Sequence, residues 1–197
     1  MKILSTIFVL LFSSSVLAED ISDFEIEGIS IGDSLLDYFS KKEILQEIEI
    51  NKPSYNYLRE EFGEIYLFEG LSKYYSVIFF VKLNDKNYII QGIRGTIDYD
   101  DKKMNDCYTK QEEVINEISP LFEISNKEKN IEYYKIDPSG KSKTTYINLK
   151  LKSGDVVSVD CNKWEEKFKL QNNFMNALVV SLRSKEVNDW LSSERIN

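Results

Sequence analysis

Few side chains in this sequence can do covalent chemistry, and the missing ones narrow the field first. There is no histidine, so a serine or cysteine nucleophile has no imidazole base, and metal sites that depend on imidazole are closed. The only thiols belong to Cys107 and Cys161. Two sulfurs without a histidine leave a zinc ion short of its usual ligands, so neither a metal nor another cofactor is expected. The run Asp137-Pro138-Ser139-Gly140-Lys141-Ser142 ends like a phosphate-binding loop. It lacks that loop's first glycine and leads into a strand, so it reads as a turn.

Oxygen ligands crowd at Asp98, Asp100, Asp101, Asn105 and Asp106. A calcium loop of the EF-hand type is spoiled by Lys102 at a ligand position, by Lys103 where glycine belongs and by Thr109 in place of the closing glutamate. The stretch reads as a solvated loop whose last acid favours a helix start. Paired carboxylates could hydrolyse glycosides, but 33 acidic residues offer too many pairs for any one to stand out. No catalytic residue is assigned.

The binding candidates are Arg94, Tyr74, Tyr75, Tyr133 and Tyr134. Arg94 stands between Gly92 and Gly95 on the polar face of a strand, where small neighbours admit an anionic ligand or a partner strand. A cross-strand acid is its other natural partner. The tyrosines, with Tyr146, either line a binding surface or serve as ordinary sheet formers.

The elements that position these groups follow from periodicity. Thr145, Ile147, Leu149 and Leu151 alternate with mostly polar residues, and after the turn at Ser153-Gly154-Asp155 the inward set resumes at Val157, Val159 and Cys161. Cys107, Gln111, Val114 and Ile118 fall on one helical face. Both cysteines therefore face inward. In an exported chain such a pair forms a disulfide, worth on the order of 4 kcal/mol by loop-closure entropy; two buried unbridged thiols are the other reading.

Elsewhere, Ser40-Lys41-Lys42-Glu43 fits a capping box, and a short helix before it completes an N-terminal helix pair. The run Val77-Ile78-Phe79-Phe80-Val81 is apolar on both faces and suits a doubly covered strand. Residues 168–192 read as a C-terminal helix with Phe174, Leu178, Val179 and Leu182 inward. The expected fold is α+β: an antiparallel sheet of about five to six strands with helices packed on it. Residues 19–50 form the strand and helix pair and 65–164 the sheet with its central helix, all within one domain, 19–197.

The chain opens with Met1-Lys2, an apolar stretch over 3–12 and small residues at Val16 and Ala18. That pattern is a secretory leader over 1–18, cut before Glu19, and too short to span a bilayer comfortably. No cysteine follows the cut to carry a lipid. The expectation is a periplasmic or secreted protein with no stable membrane insertion after cleavage. A net charge of −8 with lysines and glutamates interspersed argues against nucleic acid as a partner.

The phrase Phe24-Glu25-Ile26-Glu27-Gly28-Ile29-Ser30-Ile31-Gly32-Asp33-Ser34-Leu35-Leu36-Asp37-Tyr38-Phe39-Ser40, with Asp106-Cys107-Tyr108 and Leu182-Arg183-Ser184-Lys185-Glu186, resembles a group of uncharacterised exported bacterial envelope proteins. The resemblance covers most of the mature chain and implies an envelope location but no residue roles. Gly28-Ile29-Ser30-Ile31-Gly32 is also similar to the opening of small outer-membrane assembly lipoproteins, without their lipid-bearing cysteine. The expected function is a non-enzymatic binding module whose partner is an envelope protein or a small ligand. A carboxylate-dependent hydrolase of envelope glycans and an envelope assembly factor are the alternatives.

Overall fold

Period-two alternation builds the strands, and pairing sets each one antiparallel to its neighbours. In this computed structural model the described residues are 21–51 and 61–192. The expected leader, most of the tyrosine-bearing loop at 52–60 and residues 193–197 lie outside them.

A ribbon of β1 (Glu25–Ile26) and β2 (Ile29–Ser30) precedes the main sheet. That sheet comprises β3 (Phe62–Leu67), β4 (Ser76–Lys82), β5 (Ile90–Asp98), β6 (Ile124–Tyr133), β7 (Lys143–Leu151), β8 (Val156–Lys163) and β9 (Ala177–Arg183). Their spatial order is β3-β4-β5-β9-β8-β7-β6. The helices are α1 (Lys41–Asn51), α2 (Met104–Ile118), α3 (Glu166–Asn172) and α4 (Lys185–Leu191). The α+β class stands, but the main sheet has seven strands, more than the five to six expected.

The extra strand is β9, which takes the middle of the helix expected over 168–192 and leaves α3 and α4 on either side of it. Leu178 and Leu182 point inward as strand residues, while Val179, Ser181 and Arg183 share the opposite face. Asn173 ends α3 in a left-handed conformation, φ 54°, and the Ser184 hydroxyl accepts from the Val187 N–H to start α4. Between these two caps, the β-branched Val179-Val180 pair completes the sheet between β5 and β8. Tertiary pairing overrides the helical pattern. Phe174, expected inward, is instead 38 % exposed on the outer side.

The inner face carries α1, α2 and the ribbon. Cys107 and Cys161 are joined, with Cα atoms 6.1 Å apart, and both are fully buried. One turn along α2, the buried Gln111 amide donates to the Thr145 carbonyl at 2.7 Å and the Val159 carbonyl at 2.6 Å. A polar residue on the apolar stripe thus holds β7 and β8 together from below.

At the N-terminus only one member of the expected pair is an α-helix. The first is a 3-10 turn, Leu35–Asp37, capped by Ser34. The second is α1, with the capping box formed: the Ser40 N–H donates to Glu43 at 2.8 Å and the Glu43 N–H to Ser40 Oγ at 3.3 Å. At its far end α1 guards the edge of the sheet. Glu47 accepts from the Tyr66 N–H, and Asn51 donates to the Glu64 carbonyl. The ribbon is anchored by Glu27, whose carboxylate accepts from the Ser72 hydroxyl and the N–H groups of Ser72, Lys73 and Tyr74.

The two glycines beside Arg94 have packing reasons. A methyl group at Gly95 would lie 2.4 Å from Tyr74 Cε1, and one at Gly92 would press on Phe80 and the Leu182 carbonyl. The room they leave is filled by protein. Gly95→Ala is expected to lose about 1–3 kcal/mol in chemical denaturation, with the loss reduced when Tyr74→Leu is added; equal losses in both backgrounds would refute the contact. Replacing both cysteines by serine is expected to cost about 4 kcal/mol for the 54-residue separation.

Candidate functional site

Alternation that points Val157, Val159 and Cys161 inward points Ser158, Asp160 and Asn162 outward. The same rule runs across the sheet, and the register aligns the outward residues in rows. One row reads Tyr66, Ile78, Arg94, Ser181, Ser158, Asn148 from β3 to β7. The next carries Thr96, Val179, Asp160 and Tyr146.

Two caps lie at the ends of this outer face. Val187 and Trp190 of α4 cover Phe62, Ile78 and Phe80 in a second small core. At the other end Trp164 stacks on Tyr134 at 4.2 Å and meets Phe174 at 4.4 Å. That cluster is braced from below: the Trp164 N–H donates to Asn176 Oδ1, while Asn176 and Lys169 both donate to Asp101. Between the caps lies a trough of about 790 Å³ lined mainly by polar side chains. From Tyr66 on β3 to Glu132 on β6 it crosses six strand spacings, about 29 Å.

Asp160 lies on the trough floor, half-buried, and accepts a short hydrogen bond from the Ser158 hydroxyl. Loss of hydration pushes its carboxyl above the ordinary aspartate range, against the pull of Ser158, Arg183 and Arg94. Arg94 lies over the Phe80 ring, 5.3 Å from its centre. Tyr134 donates to Asn162 at 2.9 Å, and burial, reinforced by Asp160 and Glu132, pushes its hydroxyl up to about 12, so it serves as a neutral group.

Of the five binding candidates, Arg94 and Tyr134 meet in the trough. Tyr74 is buried on the opposite face beneath Gly95, Tyr75 stands exposed beside Phe68, and Tyr133 is exposed on β6 with the residues facing the helix side. Asp160, Arg183, Trp164 and Phe174 escaped the sequence reading. The outward set of β8 was implicit once Cys161 faced inward, whereas reading β9 as helix concealed Arg183.

The acidic loop is spent on local structure. Asp100 accepts from the Lys102 N–H to cap a 3-10 turn, and Asp101 holds Lys169 and Asn176. Among the described residues no group of three or more cysteine, aspartate or glutamate side chains is arranged to hold a metal ion. The Gly-Lys-Ser segment is a turn closed by Asp137, which accepts from Ser139 and from the Ser142 N–H.

Because the folded protein raises the Asp160 pKa, that residue's contribution to stability is greatest below the unfolded value, about 3.9, and falls as pH rises through the folded one. Asp160→Asn does not titrate. Its stability relative to the parent is expected to increase as pH is raised through that window and then level off, as read by thermal unfolding; a difference independent of pH would refute the assignment.

Comparison with protein-family models, with curated proteins and with solved structures finds no match, so no relative's residue roles carry over to this site.

Proposed function

We propose that this protein is an exported, non-enzymatic binding module that holds a polar ligand of the cell envelope against the outer face of its sheet. The observation that carries the reading is the trough itself. A sheet in water gains by covering its second face, yet here the polar middle is left open between two apolar caps, and an incompletely hydrated carboxylate is set into its floor. Such arrangements cost stability and are typical of sites that exchange protein contacts for ligand contacts. Export is supported by the leader pattern over 1–18 and by the disulfide, a bond suited to oxidising compartments. Among the described residues no helix is long and apolar enough to cross a membrane.

The hydrolase reading has one observation behind it: Asp160 and Glu132 line the same trough. Their strands lie two spacings apart and their rows one, which puts their Cα atoms about 12 Å apart. In glycosidases it is the separation of the carboxyl groups themselves that matters, about 5 Å in retaining and about 6.5–9.5 Å in inverting enzymes. The open polar trough is what favours binding. The assembly-factor reading calls for one large apolar patch. Of the most exposed apolar side chains, Leu170 lies on α3, Ile50 on α1 and Ile136 in a turn, while Phe68 just past β3 meets Tyr66 and Tyr75.

Titrating isotope-labelled protein with fractionated envelope glycans and peptides is expected to shift amide resonances along the outward rows of β5, β8 and β9. Shifts confined to the helix side, or none with any fraction, would overturn the binding reading. Sequencing of protein recovered from the envelope or medium is expected to begin at Glu19; an intact Met1 would overturn export by this leader.

A further inference from the structure

We propose that the ligand of the outer face is an oligosaccharide bearing carboxylate groups, and that Arg94 selects it by pairing with one of them. The inference rests on the binding reading above and adds the ligand's chemical class.

The first support is the state of Arg94. Its guanidinium is steadied by the Phe80 ring, and among the described residues no carboxylate forms an ion pair with it. A guanidinium held this way keeps in-plane N–H donors whose spacing matches the two oxygens of a carboxylate. Small Ser181 stands directly opposite on β9 and is buried, while Arg94 itself lines the trough.

The second support is local charge. Arg183 shares the face, in register with Gly92, and Asp160 lies within electrostatic reach of both arginines. The trough is lined by two arginines and two carboxylates, Arg94, Arg183, Asp160 and Glu132, in a chain that carries −8 overall. Isolated charges among neutral polar groups suit a ligand with separate anionic groups better than a polyanion such as nucleic acid.

The third support is what lies beyond the arginines. Asn148 presents a planar amide with donor and acceptor side by side, Asn162 keeps its amide N–H donors while its oxygen accepts from Tyr134, and Tyr146 adds a hydroxyl oxygen whose proton is donated to Glu128. Neighbouring hydroxyls of a sugar ring, which donate and accept at once, are matched by that pattern. Phe174 offers an exposed ring braced by Trp164, a surface for the C–H face of a pyranose. The trough's reach of about 29 Å suits a chain of several rings. It runs across the face of the sheet, where strand backbone is already paired, so a peptide finds no main-chain partners of the kind that strand addition supplies.

The test is calorimetric titration of the intact mature protein with trigalacturonate, maltotriose, glucuronate and triglutamate. Trigalacturonate is expected to bind tightest and to weaken with added salt. Arg94→Gln is expected to weaken it about 10- to 100-fold while leaving maltotriose unchanged, with Arg94→Lys intermediate and the folded state of each variant checked by thermal unfolding. Phe174→Ala is expected to weaken both sugars. Equal binding of the acidic and neutral trimers, or indifference to Arg94→Gln, would overturn the inference yet leave the binding reading intact. Glucuronate or triglutamate binding as tightly as trigalacturonate would overturn the oligosaccharide assignment. Absence of binding by trigalacturonate would overturn the inference outright, and the resonance shifts with other envelope fractions would then decide the binding reading separately.

Discussion

Because Cys161 must reach Cys107 on α2, β8 can run only in the register that turns Val157 and Val159 inward with it. A slip of one residue would reverse every side chain of the strand. The bond therefore does more than constrain the unfolded chain by about 4 kcal/mol, a large share of the roughly 5–15 kcal/mol that holds a domain together. It also dictates that Ser158, Asp160 and Asn162 face outward. Gln111 enforces the same register without covalent chemistry, since its amide meets both carbonyls only when Thr145 and Val159 lie beneath it.

With the inner face settled, the outer one is shaped by what flanks β9. The chain arrives from α3 and leaves into α4, and the side chains around those helices close the two ends of the face while its middle stays open. The aromatic end is built on polar bracing. Asp101 holds Lys169 of α3 and the Asn176 amide, and Asn176 in turn holds the Trp164 backbone. An acidic loop that resembles a cation site in sequence thus serves to position an aromatic wall.

Elements whose pattern is decided by one buried face were legible in the sequence. The inward set of β7 and β8, the α2 stripe, the capping box of α1 and the doubly covered β4 all follow from period and cap chemistry, and all are present. β9 was not legible, because Leu178, Val179 and Leu182 satisfy a helical spacing as well as a strand one over so short a run. The missing information was tertiary: a gap between β5 and β8 that only a strand can fill. The site suffered the same loss, since Arg94 and Tyr134 were identifiable by type but their meeting with Asp160 and Arg183 depends on strand order. Tyr74 shows the converse. An adjacent tyrosine pair looks like a surface, yet alternation sends one ring into the space that Gly95 leaves.

An open face is useful only if the sheet does not extend itself by recruiting another strand, and its two edges are protected differently. On β3, Glu47 and Asn51 of α1 occupy backbone groups that a new strand would need. On β6 protection comes from charge. Lys127 and Lys129 lie on the helix side, Glu128 and Glu132 on the trough side. A second copy pairing antiparallel about any point from Lys127 to Asn130 must set like charges directly opposite on at least one face. Lys127 and Lys129 meet themselves when the axis passes through them, Glu128 meets itself when it passes there, and Glu128 meets Glu132 when it passes through Asn130. Segregation of charge by face, which a random mixture of lysine and glutamate would lack, thus disfavours extension of the sheet at its longest strand.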